Sequence, residues 1–246
     1  MADAAPFIVL FTDFGLAGPY TGQMKTVLRR EAPASDIIDL FADAPAGDPK
    51  RAAYLLAAYA QWFSAGTVFC CVVDPGVGGP RRALALEADR RWYVGPDNGL
   101  FELVLRRAAT AQAFEIAWRP EKLSASFHGR DLFAPCAARL AQGERTGLAP
   151  AAPTRHPAWP EDLFEVVYID HYGNALTGLR AATLATDSIL STETARIAHA
   201  ATFSAVPAGA AFWYENSNGL AEIAVNLGRA DHALGLHIGS PVAIAT

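Results

Sequence analysis

Three aspartates fall where an apolar run gives out: Asp13 after FIVLFT, Asp74 after VFCCVV and Asp170 after FEVVYI. Each is followed closely by glycine, in TDFG, VDPGVGG and IDHYGN. A carboxylate at the carboxyl end of a strand can face a ligand, and a neighbouring glycine lets backbone approach closely. Aspartate also favours turns and caps, so any one of the three is weak evidence, whereas three together point to a ligand site. The stretch CVVDPGVGGPRRAL carries more. Its Pro-Gly and Gly-Gly steps force a tight loop, and Arg81 or Arg82 can return beside Asp74 as a charge-assisted pair. His128, in SFHGRDLFAP, opens a helical segment. Beside a carboxylate and a guanidinium, an imidazole can hold and polarise a water molecule, because it both accepts and donates near neutral pH.

These residues need a scaffold. The first half of the chain alternates apolar runs (FIVLFTDF, DIIDL, TVFCCVVD, RALALEA, RWYVG, AFEIA) with segments of helical spacing (YTGQMKTVLRREA, PKRAAYLLAAYAQWF, GLFELVLRR and about 130–140). That order predicts an α/β domain over residues 1–145, a mostly parallel sheet flanked by helices. A Pro-, Ala- and Gly-rich stretch over 146–160 reads as a linker. Residues 161–246 read as short strands and turns, predicting a smaller C-terminal β-barrel or sandwich.

Composition removes several functions. Twenty Lys and Arg against 25 Asp and Glu give a net charge of −5, and the basic residues are scattered, so no stripe is available for nucleic acid. No apolar run reaches the roughly 18 residues that span a bilayer, and MADAAPFIVLFTDFG lacks a basic leader segment. A cytoplasmic protein with no membrane partner is expected. Cys70, Cys71 and Cys136 have no metal-ligand spacing. No HxH, HxxxH or DxH pair, P-loop or GxGxxG is present, so neither a metal nor a cofactor is expected.

Taken in order, FTDFG, VVDPGVGGPRR, GPDNGL, FHGRDLFAP, IDHYGN and NSNGLAEIAVNLGRA resemble the S-adenosyl-L-methionine (SAM) hydroxide adenosyltransferase family. These proteins, also called adenosine-forming SAM hydrolases, are related to fluorinase and chlorinase. The resemblance runs from Phe7 to Val242. It implies an N-terminal α/β domain, a C-terminal β-barrel, and a homotrimer with active sites where one subunit's N-terminal domain meets a neighbour's C-terminal domain. It also implies hydrolysis of SAM, as substrate, to adenosine and L-methionine by water attacking ribose C5′.

By the same resemblance, Asp74, Arg81 and His128 fall on the family's water-handling triad, with Arg82 the alternative arginine. Asp74 and His128 are expected to offer acceptors for the proton. Asp13 falls on the carboxylate that grips the ribose diol, Asp170 on the contact to the methionine ammonium, and Asn174 on the residue that reads adenine. Tyr172 falls on an aromatic packed on the base, and Asn216 and Ser217 on a motif that closes the nucleoside pocket. Halide-using relatives place tyrosine, threonine and serine where this chain has Asp74, Val77 and Gly129, and a carboxylate repels halide. Gly47 stands near the place of a bulky aromatic, and Thr26 where glycine is common. A nucleoside-binding protein without turnover and a halide-dependent adenosyltransferase are the alternatives.

Overall fold

The computed structural model describes residues 6–245. The outermost ends of both expected domains, and most of the stretch before Phe7 where a leader would lie, fall outside the described residues. The chain divides into two compact units, residues 1–156 and 157–246.

The first unit runs β1 (Ile8–Thr12), α1 (Tyr20–Glu31), β2 (Ile37–Phe41), α2 (Pro49–Tyr59), β3 (Val68–Val72), β4 (Ala83–Ala88) and β5 (Arg91–Pro96). It continues with α3 (Glu102–Arg107), β6 (Ala111–Ile116), α4 (Ala134–Ala141) and β7 (Leu148–Pro150). The strands form one sheet in the order β2-β1-β3-β5-β4-β6-β7. β2, β1, β3, β5 and β6 run one way, and β4 and β7 run against them. A large, mostly parallel sheet with helices is therefore present, with an antiparallel extension at one edge.

Every residue of β1 and β3 is buried, as expected of parallel strands covered on both faces. Ile8, Leu10, Val68 and Cys70 join one core with Met24 and Leu28 of α1 and Ala134 and Ala137 of α4. The alternate residues point the other way, where the rings of Phe11 and Phe69 meet Phe41, Phe63 and Tyr93. Each large apolar side chain buried in this way contributes about 1.5–3 kcal/mol. Asp48 caps α2 by accepting from the Arg51 amide, and Pro49 occupies the first turn, where no amide hydrogen is needed.

The expected linker is partly structured. Its residues 148–150 pair with β6 as β7, and the following segment is tied down by two buried carboxylates. Asp97 accepts from the Thr154 amide at 2.8 Å, and Glu102 accepts from Arg155 and from the His156 amide. Proline and alanine hid this, because both carboxylates that hold the segment lie about fifty residues earlier in the chain.

The second unit holds β8 (Leu163–Ile169), β9 (Ala175–Arg180), β10 (Ile189–Ser191), β11 (Arg196–Ile197), β12 (Ala211–Glu215), β13 (Leu220–Val225), the short helix α5 (Ala230–Leu234) and β14 (Ala243–Ala245). They make two antiparallel sheets, β12-β13-β9-β8 and β11-β10-β14. Trp213, Leu190, Ile197, Ala221 and Ile223 lie in its core. No helix among the described residues is long and apolar enough to cross a membrane.

Candidate active site

β2 lies on one side of β1 and β3 on the other. The chain changes its direction of travel at that point, and in such sheets a crevice opens beyond the carboxyl ends of the two diverging strands. Thr12 and Val72 are register partners at those ends, so Asp13 and Asp74 leave neighbouring strands on the same edge. The Asp13 amide donates to the Val72 carbonyl. Asn98, from the GPDNGL turn, donates to the Val73 carbonyl at 2.9 Å and pins the backbone just before Asp74.

Arg81 meets Asp74 side-on. Its Nε lies 2.9 Å from Oδ1 and 3.1 Å from Oδ2, and its Nη2 also donates to Oδ2. The same Nη2 lies 2.8 Å from Nδ1 of His128. The Asp74 side chain is 3% exposed and that of Arg81 12%, and the guanidinium lies over the Phe133 ring. Arg82 points elsewhere, to Asp97 at 2.6 Å and the Ala152 carbonyl at 2.8 Å. The geometry thus puts Arg81, and not Arg82, between Asp74 and His128.

The loop that carries Asp74 reaches His128 because of a glycine. Gly78 has φ +76°, and a Cβ there would sit 2.5 Å from the Ala125 carbonyl oxygen. Only glycine allows the VGG segment to lie against the chain leading into His128. The histidine itself precedes a π-helical turn, Gly129–Phe133, which runs into α4. Pro135, at the start of α4, has no amide hydrogen to give to the carbonyl of residue 131, which favours a wider turn. Phe127 packs edge-on against Phe14 and Tyr20. Asp131 accepts from the Ser124 amide, and Arg130 donates to Gln23. Together these contacts hold the ring in place.

Burial, and then the charge of Arg81, hold the His128 pKa below its ordinary value, while Asp74 opposes them. Arginine can only donate, so Nδ1 is the acceptor and the neutral ring carries its proton on Nε2. The expectation that both Asp74 and His128 offer acceptors meets this contact: Nδ1 already accepts from Arg81, which leaves the neutral ring a donor at Nε2. Asp13 accepts from the Gly47 amide at 2.8 Å. Burial raises its pKa, the Gly47 amide draws it back, and the charge of Asp74 raises it further. Gly47 thus supplies a backbone donor to this carboxylate.

The second unit has a cluster of its own. Asp170 accepts from the Asn174 amide at 2.8 Å and from Asn174 Nδ2 at 3.0 Å. Gly173, with φ +83°, lets the turn between them lie against Arg229 and Asp231, where a Cβ would come within 2.5 Å of the Asp231 carboxylate. Asn216 is buried, its Oδ1 accepting from the amides of Asn218 and Leu220. Tyr172 is 72% exposed and stands apart from this cluster, its ring meeting His171 edge-on. The Ser217 hydroxyl accepts from Asn218.

Comparison with known proteins gives this arrangement a family. The model of the SAM hydroxide adenosyltransferase N-terminal domain matches residues 8–148, and that of the C-terminal domain matches residues 164–243. The chain belongs to the SAM hydroxide adenosyltransferase family. A relative in Thermus thermophilus named (R)-S-adenosyl-L-methionine hydrolase is 40% identical over 96% of this chain and 98% of its own. A crystal structure of an uncharacterized conserved protein from Thermotoga maritima has a TM-score of 0.87 at 29% identity, covering 97% of this chain and 100% of that one. A fluorinase from Nocardia brasiliensis is more distant, 24% identical over 56% of this chain and 55% of its own.

In this member of the family, Gly129 is packed too closely for a serine to enter freely. A Cβ there would lie 3.2–3.3 Å from Met24 Sδ and the rings of Phe127 and Phe14. Sequence reasoning missed Glu222, a buried carboxylate in β13 that accepts from Tyr214 and, at 2.9 Å, from Asn216 Nδ2. The signal was present, since LAEIAV places one charge in a run that is otherwise apolar. The Arg229–Asp231 pair, which braces the IDHYGN turn through the His171 carbonyl, was also missed.

Proposed function

We propose that the protein hydrolyses SAM to adenosine and L-methionine, with water attacking ribose C5′ in line with the departing sulfur. The observation that carries this proposal is the continuous contact from Asp74 through Arg81 to His128, on the edge of the sheet where Asp13 also stands. Full-length similarity to a relative named as a hydrolase supports the same assignment.

The sulfonium already activates C5′, and methionine leaves as a neutral thioether. What the reaction lacks is an oriented nucleophile, and orientation of this kind is worth up to about 7–11 kcal/mol in ideal cases. Asp74 accepts one hydrogen of the water, and the Nε2–H of His128 donates to its oxygen. As the oxygen–C5′ bond forms, the C5′–sulfur electron pair passes to sulfur and the water's proton to Asp74. Arg81 keeps Asp74 and His128 in register, and its positive field favours hydroxide character in the held water.

Asp13 accepts from the two ribose hydroxyls, which suits an acceptor-only carboxylate. Asp170 meets the ammonium of the methionine portion, Asn174 reads adenine, Tyr172 packs on the base, and Asn216 and Ser217 shape the closing loop. SAM is the substrate, and neither a metal nor a cofactor takes part. The second unit forms a closed β-barrel, a reading supported by bridges from Glu165 to Pro241 and from His199 to Trp213, which link its two sheets at both edges. The protein works as a cytoplasmic homotrimer, which sedimentation would test.

Incubation of the purified protein with SAM in halide-free buffer tests the function. Equimolar adenosine and methionine are expected, whereas complete recovery of SAM would make the protein a binder without turnover. A requirement for chloride or fluoride would make it a halide-dependent transferase.

A further inference from the structure

The sheet order places β5 between β3 and β4. β3 and β5 run parallel and β4 runs against them, so the chain that leaves β3 at Val72 passes over the end of β5 before β4 begins at Ala83. This crossing carries both Asp74 and Arg81. Two strand spacings set its feet roughly 10 Å apart, whereas the ten residues 73–82 can reach about 33 Å when extended. Closure of the sheet therefore leaves the crossing slack, and where Asp74 and Arg81 stand must be set by something else.

Asp97 and Asn98, consecutive residues in the turn that leaves β5, hold the two feet. Asn98 Oδ1 accepts from the Leu100 amide at 3.3 Å, which leaves its Nδ2 to donate to the Val73 carbonyl at 2.9 Å. Val73 is buried and immediately precedes Asp74. Asp97 holds the other foot twice. Its amide donates to the Arg82 carbonyl at 3.0 Å, and its carboxylate accepts from the Arg82 guanidinium at 2.6 Å. The Asp97 side chain is 2% exposed and is itself fixed by the amide and the hydroxyl of Thr154. With Arg82 captured, Arg81 is the one of the two adjacent guanidiniums left for Asp74.

We infer that Asp97 and Asn98 are positioning residues, a bracket whose two arms fix the span of the crossing so that Arg81 closes on Asp74 and reaches His128. This rests on the assignment of Asp74, Arg81 and His128 to the reaction, and extends it to two residues outside that triad. Misplacing a reacting group by about 1 Å can cost roughly 100-fold in rate. Replacing Asn98 by alanine removes the arm on the Asp74 side, and the slack of the crossing then reaches the triad.

The test is a double-variant cycle, with steady-state kinetics on SAM for wild type, Asn98→Ala, Asp74→Asn and the two combined, and nitrogen-15 NMR of His128 in wild type and Asn98→Ala. Asn98→Ala is expected to lower kcat about 10- to 100-fold and to leave KM within about threefold. In the Asp74→Asn background the same change should cost less than about threefold, because a residue that acts through Asp74 has little left to position. The His128 proton, held on Nε2 in wild type, should be shared with Nδ1 in Asn98→Ala as Arg81 withdraws, a change that lost stability alone does not produce. Asp97→Asn keeps the backbone bond to Arg82 and weakens the capture of its side chain. It is expected to lower kcat by less, and the same cycle and NMR comparison serve for it should Asn98→Ala fail to fold. Full turnover in both variants, losses that multiply in the Asp74→Asn background, or an unchanged His128 tautomer would each overturn the bracket alone, provided that Asp74→Asn is itself impaired. Wild-type turnover in Asp74→Asn overturns the bracket together with the triad.

Discussion

Arg81 donates through Nη2 to Nδ1 of His128 across 2.8 Å. A guanidinium has no lone pair to offer and does not lose its proton, so this one contact sets the tautomer of the histidine. The charged groups around the ring, Arg81, Asp74, Arg119 and Asp131, pull in both directions, and burial with Arg81 prevails. The neutral form therefore persists below the ordinary value of 6.5. Nitrogen-15 NMR of the imidazole is expected to show a proton on Nε2, none on Nδ1, and a midpoint below 6.5. A proton on Nδ1 at neutral pH would contradict the contact.

If Asp74 takes the water's proton, its charge matters more than its shape. Asp74→Asn keeps the size and one acceptor, and is expected to lower kcat roughly 100-fold or more. KM should stay within about threefold, because the carboxylate acts on water rather than on SAM. Wild-type turnover in an Asp74→Ala, His128→Ala double variant would remove the triad from the mechanism. Arg81→Lys is expected to behave as a loss and not as a conservative change, since an ammonium cannot bridge Asp74 and His128 in this fork geometry.

Asp13 answers to a different readout. Asp13→Asn still offers an oxygen to the Gly47 amide but gives up the charge-assisted bonds to the ribose hydroxyls. Adenosine affinity is expected to fall about 10- to 100-fold by calorimetry. Unchanged affinity would end the ribose assignment.

Stability at low pH should depend on Glu102. Burial alone would raise its pKa, but Arg155, Arg106 and the His156 amide outweigh it and bring the value down to about 2 from 4.5. A carboxyl depressed in the folded state stabilises the fold above its unfolded value and loses that contribution as pH falls toward the folded one. Urea midpoints should therefore drop more steeply between pH 4.5 and pH 2 for wild type than for Glu102→Gln. Parallel curves would show that the clamp on residues 155–156 adds nothing.

Much of this site is legible in the amino-acid sequence. Strands ending in Asp13 and Asp74 can be read from apolar runs, and a loop rich in glycine announces that backbone must approach something. Which of two adjacent arginines turns inward could not be read, because it is decided by Asp97 and the Ala152 carbonyl, groups distant in sequence that capture Arg82. The direction of the proton on His128 was hidden for the same reason, since it depends on one contact between residues 47 positions apart. In the second unit β9, β10 and α5 escaped notice, as ALTGLR, ILS and ADHAL are short and lack clear periodicity. That the Tyr172 ring is exposed could not be read either, since nothing within IDHYGN fixes what surrounds it.

The central claim is that water, held by Asp74 and His128, attacks C5′ of SAM. It is tested most directly by turnover in halide-free buffer made with oxygen-18 water, followed by mass spectrometry of both products. Adenosine carrying the heavy oxygen at its 5′ position, with unlabelled methionine, is the predicted result. Unlabelled adenosine, or heavy oxygen found instead in the amino-acid product, would contradict it.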